Sequence, residues 1–200
     1  MPYIHIATED ALSEAVGLKL ISTFLSGFDV GVMLRKNGNG YLKSKIASFC
    51  QMARHAPLLL ITDLDNANCA PSLKASWLRN IIPPDDLIFR VAVREVEAWL
   101  LADHRTMRRL IGEQARRLPP DPESVLNPKE LLLTLVARGA PRDVKRDLLV
   151  KRGSVASQGL GYNQRLCHHV NAAWNPQKAA ERSDSLARLI RRLNDLSERR

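Results

Sequence analysis

Along the first hundred residues, apolar and polar positions alternate between two rhythms. Short β-rich runs at 3–8 (YIHIAT), 29–35 (DVGVMLR), 57–62 (PLLLIT) and 87–93 (LIFRVAV) are separated by longer stretches whose apolar residues recur every three or four positions. In residues 11–25 the recurring positions are Leu12, Ala15, Val16, Ile21, Phe24 and Leu25, which share one helix face. Residues 41–56 and 72–81 predict two more helices, the second stopped by Pro83 and Pro84, and the fourth run leads into a helix over 96–112. The third run is apolar throughout, as a strand buried on both faces requires. Such alternation predicts an α/β fold, an open and mostly parallel sheet flanked by helices and joined by right-handed crossovers. Strand order is not encoded in the periodicity.

From about residue 115 the pattern changes. A Pro-rich connection, RRLPPDPESVLNPKE, leads to mainly helical segments, among them 129–139 and 186–200. In the last segment Leu186, Leu189, Ile190, Leu193 and Leu196 form one stripe, with Arg188, Arg191 and Arg192 off it. The expected organisation is an α/β domain over 1–115 and a basic, mainly helical C-terminal extension over 116–200 packed on it.

Charge sharpens that division. Residues 1–103 carry 10 Lys and Arg against 11 Asp and Glu, whereas residues 104–200 carry 20 against 10, giving +9 overall. A basic half is the electrostatic footprint of a phosphate-polymer binder, and also of a solvated surface. With nucleic acid as the expected partner, loop residues Lys36, Lys151 and Arg152 are its candidate contacts, and Lys43 is a further candidate for phosphate. No apolar run approaches the roughly 20 residues of a membrane span, and the start lacks the features of a signal peptide, so no membrane partner and a cytoplasmic location are expected. Cys50, Cys69 and Cys167, odd in number and far apart, read as reduced thiols.

The candidate chemistry lies in the acids. In a parallel sheet, ligands bind at the carboxyl ends of the strands. Glu9, Asp10 and Glu14 follow the first strand, Asp63 and Asp65 the third, Glu95 and Glu97 the fourth. Each group has a plain structural alternative: a turn with Asn66 or Ser72 capping a helix, an acidic helix start, or pairing of Glu95 and Glu97 with Arg90, Arg94 or Arg105. Taken alone, the turn is the stronger reading of Asp63 and Asp65. Acids at three strand ends favour a shared site, because converging carboxylates repel unless a cation lies among them. Mg²⁺ or Mn²⁺, hard cations that take oxygen ligands, would suit it. A Walker-type site is excluded, since RKNGNGYLKSK lacks its residue order. The histidines lack zinc-ligand spacing, Cys167, His168 and His169 read as helix core and flank, and Trp99 reads as core.

The motifs IATED…SE, the Asp-x-Asp of 63–65 and the acidic pair after the fourth strand resemble the TOPRIM domain of topoisomerases, primases and OLD-type nucleases. VAVREVEAWLLAD, NPKELL and WNPQKAAERSDSLARLIRRL resemble a bacterial family of small TOPRIM-like proteins of unknown function. The resemblance implies a Mg²⁺-dependent nuclease in which Glu9 is general acid/base or metal ligand. It further implies that Asp63 and Asp65 bind the metal and that Glu95 or Glu97 serves a second ion. The pattern departs from TOPRIM in having Asp10 where Gly is usual and Glu14 five residues after Glu9 rather than four. The resemblance also leaves room for a partner protein from the same operon and a role in phage defence. The alternative is a non-catalytic scaffold that binds nucleic acid or a partner, its acids structural.

Overall fold

The computed structural model describes residues 1–35, 38–112, 118–150 and 155–199. The chain is α/β. Among the described residues, β1 (Tyr3–Thr8), β2 (Asp29–Arg35), β3 (Leu58–Asp63) and β4 (Leu87–Ala92) form one all-parallel sheet in the order β2-β1-β3-β4. The connections are α1 (Ala11–Phe24), then α2 (Asn39–Ser44) with α3 (Ile46–Met52), then α4 (Ala70–Leu78). After β4 come α5 (Val96–Ala102), α6 (His104–Ile111), α7 (Pro128–Gly139), α8 (Arg142–Leu148), α9 (Tyr162–Ala172), α10 (Pro176–Ala180) and α11 (Asp184–Glu198).

Two predicted helices are interrupted. The segment 41–56 breaks at Lys45, between α2 and α3. The segment 96–112 breaks at Asp103, whose carboxylate accepts from the Thr106 N–H (3.3 Å) and hydroxyl (2.7 Å) and so caps α6. A capping aspartate starts a new helix where apolar periodicity alone would continue the old one.

The chain divides into two compact units, Met1–Val93 with Ser185–Arg200, and Arg94–Asp184. The division therefore falls elsewhere than at residue 115. The physical reason is α11, whose Leu186, Leu189, Leu193 and Leu196 are buried and whose arginines reach the start of β4: Arg192 donates to the Asp85 carbonyl, and Arg199 lies 3.4 Å from the Asp86 carboxylate.

In the sheet unit, Leu58 to Ile61 are completely buried, so β3 is covered on both faces. One face packs with Phe49, Leu60, Trp77 and Phe89. On the other, α1 approaches so closely that a Cβ at Gly17 would run into Ile6. Parallel pairing of β1 with β2 slips by one residue around His5, whose Nδ1 accepts the Val32 N–H at 2.9 Å. In the second unit every residue of α5 is buried, Trp99 completely, and the Trp174 indole donates to the Trp99 carbonyl at 3.2 Å. The three cysteines are free thiols, and among the described residues no helix is long and apolar enough to cross a membrane.

Candidate active site

The chain runs from β1 outward to β2, then crosses back to β3 on the other side of β1. The strand order thus reverses between β1 and β3, and the carboxyl end of that pair is where parallel α/β sheets place ligands. Glu9 follows β1 and Asp63 ends β3. Register pairs Ala7 with Leu60, so its continuation brings Glu9 level with Thr62. There the Thr62 hydroxyl and the Asp63 N–H (3.0 Å) both donate to Glu9 Oε1.

Burial raises the Glu9 carboxyl above the usual range. The Thr62 and Asp63 hydrogen bonds oppose the rise, and the charges of Asp65 and Asp10 add to it. Asp63 is half-buried and Asp65 exposed. Asp65 has φ 48, a left-handed conformation that aspartate tolerates, and it sits in a turn closed by the Ala67 N–H on the Leu64 carbonyl (3.0 Å). The turn thus takes in Asp65 while Asp63 is the last residue of β3, and Cys69, not Asn66 or Ser72, occupies the N-cap of α4.

The other acids after β1 are engaged locally. Asp10 caps α1 by accepting the Ser13 N–H at 2.8 Å, and Glu14 lies 3.2 Å from Arg35. Glu95 and Glu97 belong to the second unit, where each has a partner other than the arginines expected for them. Glu95 accepts the Lys129 N–H at the start of α7 (2.9 Å), a carboxylate at a helix N-terminus. Glu97, 6% exposed, accepts from the Tyr162 hydroxyl at 2.7 Å. Burial pushes its carboxyl up to about 7; the Tyr162 bond and the Lys129 charge oppose this, and Glu95 adds to it.

Glu9, Asp63 and Asp65 are carboxylates, the ligand type that hard cations such as Mg²⁺ and Mn²⁺ take. Among the described residues, no three His, Cys, Asp or Glu side chains are grouped to hold a metal ion. Lys36, Lys151 and Arg152, the expected nucleic-acid contacts, lie outside the described residues. Lys43 lines a surface cleft with Gly40, Ser44, Trp77 and Arg79.

Sequence reasoning missed Thr62, although a hydroxyl closing an apolar strand beside two aspartates was a readable signal. It also missed the partners of Glu97 and Glu95: Tyr162 lies 65 residues from Glu97 and Lys129 34 from Glu95, spacings that carry no local signal. Comparison with family models, curated proteins and solved structures finds no match for the chain.

Proposed function

We propose that the chain is a metal-dependent phosphodiesterase acting on nucleic acid, with Glu9, Asp63 and Asp65 as its working carboxylates. The observation that supports this reading is the seat of Glu9: its carboxylate is bonded to Thr62 and Asp63 where the strand order reverses, with its pKa raised. A carboxyl shifted toward neutral pH is suited to accept a proton from an attacking water, because general-base efficiency peaks when pKa and working pH approach each other. Thr62 and the Asp63 N–H orient it and leave Oε2 outside that pair of bonds. Asp65 and Asp10 supply negative charge beside it. Mg²⁺ or Mn²⁺ held by the working carboxylates would acidify a bound water and offset the charge of the phosphodiester.

A second reading, a non-catalytic nucleic-acid or partner-binding scaffold, is favoured by the hydrogen bonds that tie Glu9 into the fold and by the lack of a three-ligand group among the described residues. One experiment separates the two. Purified protein is incubated with single- and double-stranded DNA and RNA in Mg²⁺, Mn²⁺ or EDTA, beside Asp63→Ala and Asp65→Ala with circular dichroism as a fold control. Metal-dependent cleavage lost in folded variants supports the enzyme. No turnover on any substrate, with the aspartate variants melting higher through relieved repulsion, supports the scaffold.

A further inference from the structure

Outside the carboxylate site, the sheet unit holds a convergence of arginines that the reading above does not use. Arg90 lies in β4 among Ile88, Phe89, Val91 and Ala92, all buried. Its Nε is itself buried and has no hydrogen-bond partner among the described residues. Buried donors are nearly always paired, so an orphan on a guanidinium points to a missing acceptor.

Three more arginines meet it from α11. Arg188, Arg191 and Arg192 stand at i, i+3 and i+4 on one helix face, and with Arg90, Asn194 and Asp195 they line a surface cleft of about 480 Å³. Burial and the charges of Arg192, Arg188 and Arg191 hold the Arg90 guanidinium below its ordinary value, with Asp195 opposing. Lys74, on α4, is held down to about 8 by burial and then by Arg90. Four arginines against one aspartate repel one another, and a multivalent oxyanion would relieve that repulsion. Guanidinium forks arriving from a strand and a helix suit a tetrahedral group with several acceptor oxygens better than a planar carboxylate with two.

We propose that the cleft of Arg90, Arg188, Arg191 and Arg192 binds a phosphate group, carried either by a nucleic-acid backbone or by free phosphate or pyrophosphate. This does not rest on the carboxylate reading, since the site needs no metal and no turnover.

The test uses the full chain in EDTA. Melting temperature is measured in phosphate, in pyrophosphate and in chloride at matched ionic strength, and binding of a labelled 12-nucleotide single strand is followed by fluorescence anisotropy. Phosphate or pyrophosphate should raise the melting temperature by several degrees over chloride. Arg188→Gln with Arg191→Gln, at exposed positions, should abolish that increment. Arg90→Met should raise the melting temperature in chloride, by removing the orphaned donor, and abolish the increment too. If the oligonucleotide binds and pyrophosphate displaces it, the ligand is a backbone; if only the small anions bind, it is a free phosphate. Equal melting in phosphate and chloride, or an increment that persists in both variants, overturns the proposal.

Discussion

The two units each hold one glutamate whose pKa is raised mainly by burial, and the pair shows what burial alone does not provide. Glu97 is sealed among helices with a tyrosine hydroxyl as donor, and its carboxyl reaches about 7. Glu9 is only half-buried, yet it sits where the strand order reverses, with Asp63 and Asp65 beside it. The larger shift belongs to the group with the less accessible position. A raised pKa is a stability statement at Glu97, and under the proposed function it is also a chemical one at Glu9, where the topology sets the two apart.

The sharpest test of that contrast is Glu9→Gln, which should lower metal-dependent cleavage by about 100-fold or more, as loss of a general base does. Its melting temperature should stay near wild type; a collapse of stability would put Glu9 in the same class as Glu97.

The next effect is on stability against pH. Between pH 4.5 and about 7 folded Glu97 keeps a proton that the unfolded chain releases, so its contribution is full below pH 4.5 and is lost as pH rises to 7, about 3 kcal/mol in all. His169, also in the second unit, runs the other way: burial, with the His168 charge adding and Asp103 opposing, lowers it from 6.5 to about 4. Its contribution is present above pH 6.5 and is lost as pH falls to 4, again about 3 kcal/mol. The two slopes oppose each other. Urea titrations from pH 4.5 to 6.5 should show Glu97→Gln gaining stability with rising pH and His169→Leu losing it, while wild type varies less than either.

Smaller still is Tyr162→Phe, which removes the donor to Glu97. It should cost about 2 kcal/mol at pH 8, where the acceptor is charged, and about 1 kcal/mol at pH 5, where it is neutral. A cost independent of pH would mean that Glu97 does not titrate in this range. Smallest is the Glu14–Arg35 pair at the rim of the sheet, with the Arg35 side chain 42% exposed. A double-mutant cycle there should give under about 1 kcal/mol, falling with salt.

Most of the sheet unit was legible because its information is local. The fully buried run of β3, the β-α alternation and the acids at strand ends all follow from neighbours in sequence, and Asp63 stands where its strand predicts. Information carried by distant contacts was not legible. The strand order that makes the β1–β3 edge special is invisible to periodicity, as is the Tyr162 hydroxyl on Glu97. Asp103 reads as one more polar position in a helix until its carboxylate is seen to take Thr106 and the Asn175 N–H at 2.9 Å. Arg90 was visible as the one charge inside LIFRVAV, but its companions on α11 lie about a hundred residues further along.

The return of α11 to the sheet unit also orders events in time. During synthesis β1 to β4 emerge early, yet the helix whose buried leucines complete their unit emerges only after the whole of residues 94–184. Until then the nascent unit lacks α11, and the intervening segment must close as one long loop, an entropic cost that grows only with the logarithm of its length. An intermediate with incomplete apolar cover is the state most exposed to aggregation and to chaperones. Leu193→Ala would prolong that state, so its first symptom in a cell should be lower yield of folded protein.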